Sequence, residues 1–152
     1  MRIAAVALIG VSFFALHCAQ SPSSPPTKPQ KFEVKIKVDK KTKKTKVKKV
    51  TAYRKDTVEF QAEGGTVTII IPDGHLEVTQ YPDGTLNNFG DWFSLTLKAG
   101  ESATIQVPED YPENRHDKKK SREIWYLVIC GEGADSYPGE SESPPRMIIR
   151  PR

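Results

Sequence analysis

Short segments with alternating apolar residues, separated by glycine and proline turns, recur along the chain from residue 32 to residue 150. Val58 and Phe60 lie on one face of such a segment, and the run 66–71 (TVTIII) has a stronger strand pattern. Pro-Asp-Gly turns follow at residues 72–74 and 82–84, where proline presets the first corner and glycine accepts the strained one. No sustained helical period occurs after residue 30. The pattern predicts an all-β domain, an antiparallel sandwich or barrel of about eight strands.

The segment Glu123 to Cys130 is the most apolar of these predicted strands. Both of its alternating sets are apolar: Ile124, Tyr126, Val128 and Cys130 form one, and Trp125, Leu127 and Ile129 form the other. A strand that is apolar on both faces is typical of the middle of a sheet covered on both sides. We therefore predict a central position for it.

Residues 1–17 have the pattern of a secretory signal peptide. Residues 3–16 are fourteen uncharged residues, the length of a signal h-region and shorter than the roughly 20 residues that span a bilayer. The sequence ALHC that ends at Cys18 resembles the lipobox of bacterial lipoproteins, but it departs from the usual form at Ala15 and His17. Ordinary cleavage near Ala19 is the alternative, and it would place bulky His17 where a small side chain is preferred. We predict lipidation of Cys18.

Residues 18–30 are rich in proline and serine and predict a tether. Such a polar stretch cannot bury a core and behaves as a semi-extended spacer of about 3 Å per residue. The chain is thus divided into a signal peptide (1–17), a tether (18–30) and one domain (31–152) of ordinary size. This organisation predicts an exported lipoprotein of the cell envelope, anchored on the periplasmic or extracellular face of a membrane. If Cys18 is lipidated or removed, Cys130 is the only thiol, and no internal disulfide can form.

Charge is unevenly distributed along the domain. Residues 31–55 carry 12 basic and 2 acidic side chains, whereas residues 56–152 carry 9 basic and 17 acidic ones. Within the basic part, the alternation from Phe32 to Val38 predicts a strand, residues 39–45 a polar turn, and Val47 the start of a returning strand.

Two interpretations of this basic hairpin remain open. Lysine on an edge strand prevents edge-to-edge pairing, so the hairpin can simply be a solvated edge. Alternatively, it is a docking surface for an anionic partner such as phospholipid headgroups, lipopolysaccharide or an acidic protein. Nucleic acid is not expected, because no aromatic residues are interleaved with the lysines. The candidate binding residues are Lys40, Lys41, Lys43, Lys44, Lys46, Lys48 and Lys49.

Several motifs together resemble the cupredoxin-type sandwich. They are KDTVEF at residues 55–60, LKAGESATIQV at 97–107, a Tyr-x-Val-x-Cys strand at 126–130 and a final PPRMII strand at 144–149. The likeness covers about residues 32–151 and is greatest to bacterial cupredoxin-like cell-envelope proteins with a similar Ser-Pro-Pro strand. It implies a Greek-key β-sandwich of the cupredoxin-like or immunoglobulin-like kind.

The resemblance raises the possibility of a copper site. Blue copper requires two imidazoles, a thiolate and a weak axial thioether. In the cupredoxin pattern His75 would stand in the upstream position, Cys130 would supply the thiolate and Met147 the thioether. No histidine lies between Cys130 and Met147, and His116 lies upstream of both. We therefore expect a fold without the complete ligand set and no cofactor, with Cys130 as a buried small hydrophobe; copper binding or electron transfer through these three residues is the alternative.

The loop after Cys130 is acidic and has three interpretations: a solvated loop, a calcium-binding loop, or a surface that mates with the lysine-rich hairpin of the same or a neighbouring molecule. Motifs for catalysis are absent from the sequence, which has no Gly-x-Ser-x-Gly, no His-Glu-x-x-His and no glycine-rich phosphate loop. We therefore expect a non-catalytic binding or structural protein. The candidate binding residues in this loop are Glu132, Asp135, Tyr137, Glu140 and Glu142.

Overall fold

A computed structural model of the protein describes residues 27–42, 44–113, 121–139 and 145–151. In these residues the regular structure is β-strand apart from one turn of 3-10 helix at Gly133–Asp135, which confirms the all-β prediction. The strands are β1 (Lys31–Asp39), β2 (Lys44–Lys46), β3 (Val50–Tyr53), β4 (Thr57–Glu63), β5 (Val67–Ile71), β6 (Glu77–Gln80), β7 (Leu86–Asn88), β8 (Phe93–Leu97), β9 (Ser102–Gln106), β10 (Arg122–Trp125), β11 (Leu127–Cys130), β12 (Tyr137–Pro138) and β13 (Arg146–Arg150).

The strands form three sheets. The β1 sheet has the order β2-β1-β4-β9-β6, the β5 sheet has the order β12-β11-β5-β8-β7, and a small sheet has the order β10-β13-β3. Two neighbouring pairs, β1 with β4 and β13 with β3, are parallel, so two sheets are mixed and not wholly antiparallel. A parallel pair needs a long crossover, and β2 with β3 lies within the connection from β1 to β4.

The inward faces of these sheets meet in one hydrophobic core. Along β4 the side chains of Val58, Phe60 and Ala62 are fully buried, and the residues between them are partly exposed. The same alternation continues along β5. The rings of Phe60 and Tyr126 meet edge to face at 5.5 Å and join the β1 sheet to the segment between β10 and β11. Burying each large side chain contributes about 1.5–3 kcal/mol, and the two inward faces together make the sandwich stable.

The apolar segment 123–130 is two strands instead of the predicted single one. The chain changes sheet at Tyr126, because β10 belongs to the small sheet and β11 to the β5 sheet. The prediction that both faces are covered is also wrong, since the side chains of Trp125 and Leu127 are 49% and 64% exposed. The reason is positional: β10 is an edge strand, and the outer face of β11 is open among the described residues.

The sandwich has two ends that carry different side chains. At the lysine end, the turn Gly64-Gly65 lies against Val38, and the Gly131 N–H donates to the Thr66 carbonyl at 3.0 Å. At the histidine end, β5 finishes at Ile71 and the following turn contacts the Gly90 loop. The approach at this second contact is so close that a Cβ on Gly74 would lie 1.8 Å from the Gly90 carbonyl oxygen.

Candidate functional site

The three residues considered for copper are not brought together. Cys130 pairs with Val67 at the start of β5, whereas His75 follows the other end of that strand. Met147 is fully buried opposite Ile124 in the small sheet, whereas Cys130 lies in the β5 sheet. Among the described residues no group of three or more His, Cys, Asp and Glu side chains could hold a metal ion. His116 lies outside the described residues.

Cys130 is a fully buried free thiol at the end of β11. Burial raises the pKa of this thiol, because the charged thiolate would lose its hydration. Since the thiolate is the reactive and metal-binding form, Cys130 behaves as a small apolar core residue.

His75 belongs to a cluster around a buried carboxylate, that of Asp73. The Asp73 side chain is 1% exposed. Its Oδ1 atom accepts a hydrogen bond from the His75 backbone N–H at 3.0 Å and is also hydrogen-bonded to the imidazole Nδ1 at 3.1 Å. Its Oδ2 atom accepts a hydrogen bond from the Tyr111 hydroxyl and lies 3.5 Å from the Arg122 guanidinium. Burial, together with the Asp73 carboxylate, raises the pKa of Tyr111.

This cluster joins three segments that are distant in sequence: the turn after β5, the segment before residue 114 and the start of β10. The Tyr111 ring completes it, because the His75 ring meets it edge to face at 6.3 Å and the Arg122 guanidinium lies 5.5 Å from its centroid. The cluster supplies one imidazole, 60% exposed, and its carboxylate is already engaged by three side chains. Sequence reasoning named only His75 here, because a Pro-Asp-Gly turn gives no sign that its aspartate is buried.

The structure divides the basic segment into two sets of lysines. The first set is neutralised by carboxylates of neighbouring strands and loops: Lys31 contacts Glu59 at 2.8 Å, Lys35 and Lys37 contact Glu63 at 3.3 and 3.5 Å, and Lys55 contacts Glu109 at 2.6 Å. The second set lies on and around the β1–β2 hairpin, is exposed and forms no ion pair with a carboxylate among the described residues. We call this second set the hairpin lysines: Lys40, Lys41, Lys44, Lys46, Lys48 and Lys49.

The hairpin lysines lie at the free edge of the β1 sheet. Strand β2 is the outermost strand of that sheet, with Lys44 and Lys46 exposed on either side of buried Thr45. The turn is held by Asp39, whose Oδ1 atom accepts hydrogen bonds from the backbone N–H groups of Lys41 and Thr42 at 2.9 and 3.3 Å. The hydrogen bonds from Thr42 and Lys41 lower the pKa of Asp39. This carboxylate therefore shapes the turn, and the lysine ammonium groups face solvent.

The acidic loop packs beside the hairpin. Strand β12 pairs with β11, and the Gly139 that follows it lies against buried Thr45, where a Cβ would be 2.9 Å from a Thr45 methyl carbon. Glu132 accepts a hydrogen bond from the Thr66 hydroxyl at 2.7 Å. Asp135 is exposed in the 3-10 helix. The structure thus brings Glu132 and Tyr137 to the lysine end; Lys43, Glu140 and Glu142 lie outside the described residues.

Comparisons of the whole sequence with models of known protein families and with curated proteins found no match. Residues 1–26, which include Cys18 and most of the tether, also lie outside the described residues. In the parts of the chain that the structure describes, no helix is long and apolar enough to cross a membrane. A functional assignment must therefore be argued from the chemistry of the two ends of the sandwich.

Proposed function

We propose that the protein is an exported, lipid-anchored binding protein of the cell envelope whose hairpin lysines dock on an anionic phospholipid surface. One observation carries this proposal: among the described residues the hairpin lysines are exposed and unneutralised, whereas the other described lysines of residues 31–55 are paired. Each basic side chain near an anionic membrane contributes about 1 kcal/mol of attraction, so several on one edge give useful affinity.

The sequence supports the location in the same proposal. A signal-like segment, a cysteine at residue 18 and a proline-rich tether favour export and lipid anchoring, and lipid chains together with a basic surface bind a membrane more stably than either does alone. The domain is proposed to be cupredoxin-like without a copper site and to act without catalysis. The burial of Cys130 and the separation of its thiol from His75 favour a non-catalytic role over electron transfer.

Flotation with lipid vesicles tests the proposal. The mature chain, residues 18–152 with Cys18→Ala, lacks both the apolar signal segment and the proposed lipid anchor. It is mixed with vesicles of phosphatidylcholine containing phosphatidylglycerol, or of phosphatidylcholine alone. We expect binding to the anionic vesicles only, and binding weakened by salt, because exposed charges are screened within about 8 Å at physiological ionic strength.

Two matched quadruple variants identify the surface. Replacing the unpaired Lys40, Lys41, Lys48 and Lys49 by glutamine should weaken binding by more than about a hundredfold, from about 1 kcal/mol per lysine. Replacing the paired Lys31, Lys35, Lys37 and Lys55 by glutamine removes the same amount of charge. This second variant should change the affinity for the vesicles by less than about threefold. Equal losses in the two variants, binding that salt does not weaken, or binding to an acidic protein without binding to vesicles would overturn the proposal.

A further inference from the structure

A cavity of about 380 Å³ opens at the lysine end, between the hairpin and the acidic loop. Its volume is within the range of ordinary small-molecule sites, about 300–1,000 Å³. The hairpin, the turn between β4 and β5, and the acidic loop with β12 all contribute to its lining. The lining residues are Val38, Lys40, Gly65, Thr66, Gly131, Glu132 and Tyr137.

The cavity carries one positive and one negative side chain, from different segments. The Lys40 stem passes over Gly65, whose Cβ position is 3.4 Å from the Lys40 Cε atom, and so the ammonium is directed to this edge. The Glu132 carboxylate is held by the Thr66 hydroxyl through Oε1, and its second oxygen forms no hydrogen bond with the described residues. Gly131 keeps the loop close, because it has a φ of +88° and a Cβ there would lie 2.7 Å from the Asp135 carbonyl oxygen.

These two charges restrict the ligand. A simple anion would be repelled by Glu132, and a simple cation would be repelled by Lys40. A ligand with both charges a few bonds apart satisfies both side chains. Under the proposed function, the anionic part is the phosphate of a phospholipid, a group that lysine commonly binds, and Lys40 is the lysine in the cavity lining.

The cationic part is a primary ammonium. Such a group donates N–H hydrogen bonds, which an unengaged carboxylate oxygen accepts strongly. A quaternary ammonium has no N–H and is bound through cages of aromatic rings, whereas Tyr137 is the single aromatic residue in the cavity lining. Phosphoethanolamine is the zwitterionic phospholipid headgroup that carries a phosphate and a primary ammonium.

We infer that this cavity binds the phosphoethanolamine headgroup of a phospholipid, with Lys40 on the phosphate and Glu132 on the ammonium. The inference rests on the proposed function and deepens it, since it names the lipid that the lysine end selects. The hairpin lysines then provide general attraction to an anionic surface, and the cavity adds a preference for one headgroup.

Vesicles with a fixed fraction of phosphatidylglycerol and a remainder of either phosphatidylethanolamine or phosphatidylcholine test this preference. We expect the mature chain, residues 18–152 with Cys18→Ala, to bind the ethanolamine vesicles about tenfold more tightly. Glu132→Gln should abolish that preference while salt-sensitive binding to phosphatidylglycerol remains. Asp135→Asn is the matched control, because it removes a charge from the same loop outside the cavity and should leave the preference unchanged.

The outcomes separate the two proposals. Absence of binding to any anionic vesicle overturns the proposed function. Salt-sensitive binding with equal affinity for the ethanolamine and choline vesicles, or a preference that Glu132→Gln leaves intact, overturns only the headgroup inference. A final arm adds free phosphoethanolamine: if it binds the protein as tightly as the vesicles do, the ligand is a soluble metabolite and not a lipid.

Discussion

Two buried tyrosines show how the contribution of a hydroxyl group to stability depends on its hydrogen-bond partner. The Tyr111 hydroxyl donates to the Asp73 carboxylate, whereas the Tyr126 hydroxyl is buried and has no hydrogen-bond partner among the described residues. Burial raises the pKa of Tyr126, which stays neutral. Both rings are buried in the core, and the comparison therefore isolates the hydroxyl groups.

Removing each hydroxyl should change stability in opposite directions. Tyr126→Phe should raise the free energy of unfolding by about 1 kcal/mol, because an unsatisfied polar group leaves the core. Tyr111→Phe should lower it by about 1–3 kcal/mol, because the buried Asp73 carboxylate loses a donor. Urea denaturation of both variants measures the two changes, and a shift of the same sign in both would contradict this explanation.

Sequence patterns predicted some of these single-residue environments and missed others. The burial of Cys130 agrees with the apolar alternation of its segment. The burial of Asp73 could not be predicted, because it depends on contacts with Tyr111 and Arg122. These two residues lie 38 and 49 positions after Asp73 in the sequence. The pattern Pro-Asp-Gly specifies only the local turn, whereas the cover over its carboxylate is a tertiary property.

At the scale of elements, the parallel pairing of β1 with β4 neutralises the three lysines of β1, whereas Lys55 pairs with Glu109 outside these two strands. The register places Lys37 opposite Glu63 and Lys31 opposite Thr57, so the two rows of charged side chains meet across the strands. The sequence predicted the basic strand, but it placed the returning strand from Val47, whereas β2 is Lys44–Lys46. It also did not predict β4 as the second neighbour of β1. The unpaired part of the net charge of +10 on residues 31–55 therefore lies mainly at the hairpin.

The ion pair between Lys31 and Glu59 should make stability depend on pH. The Lys31 hydrogen bond, with a further one from Ser102, lowers the pKa of Glu59 below its ordinary 4.5. The ionised carboxylate therefore stabilises the fold above pH 4.5, and this contribution is lost as the pH falls through the lower folded-state pKa. The effect is small, less than about 1 kcal/mol, because the pair is partly exposed.

Urea denaturation at pH 7 and at decreasing pH values below 4.5 measures this dependence. On acidification, Glu59→Gln should lose less stability than the unchanged protein, since the titrating group has been removed. Glu77→Gln, an exposed change on β6, is the control and should behave as the unchanged protein does. If both variants respond to acid as the unchanged protein does, the Lys31 pair contributes nothing to folding.

At the scale of the whole molecule, Gln30, the last residue of the predicted tether, and the hairpin lie at opposite ends of β1. The Gln30 N–H donates to the Asp56 carboxylate at 2.9 Å, which fixes the start of β1 beside β4's first residue. Strand β1 then runs nine residues, about 30 Å, to the lysine end. The composition of residues 18–30 predicted a tether, but its point of entry depends on the β1–β4 pairing, which sequence did not predict.

This geometry sets a minimum tether length for a lipid-anchored protein whose hairpin touches the same membrane. Residues 19–30, if extended, reach about 37 Å, slightly more than the length of β1. Deleting residues 19–26 would leave about 12 Å. The shortened protein should remain in the membrane fraction through Cys18 but lose contact between its hairpin and the lipid.

Quenching of a fluorophore at the hairpin measures that contact. Thr42→Cys offers an exposed thiol for labelling, whereas Cys130 is buried and protected. In vesicles containing brominated lipid, we expect strong quenching for the full-length chain and for a control whose residues 19–26 are replaced by glycine and serine. The deletion variant should show almost no quenching. Equal quenching in the deletion would mean that the hairpin reaches lipid without the tether, and loss in the glycine-serine control would mean that sequence, not length, is required. Weak quenching in all three proteins, with binding to added anionic vesicles retained, would mean that the hairpin binds an opposing surface and not the membrane that holds the anchor.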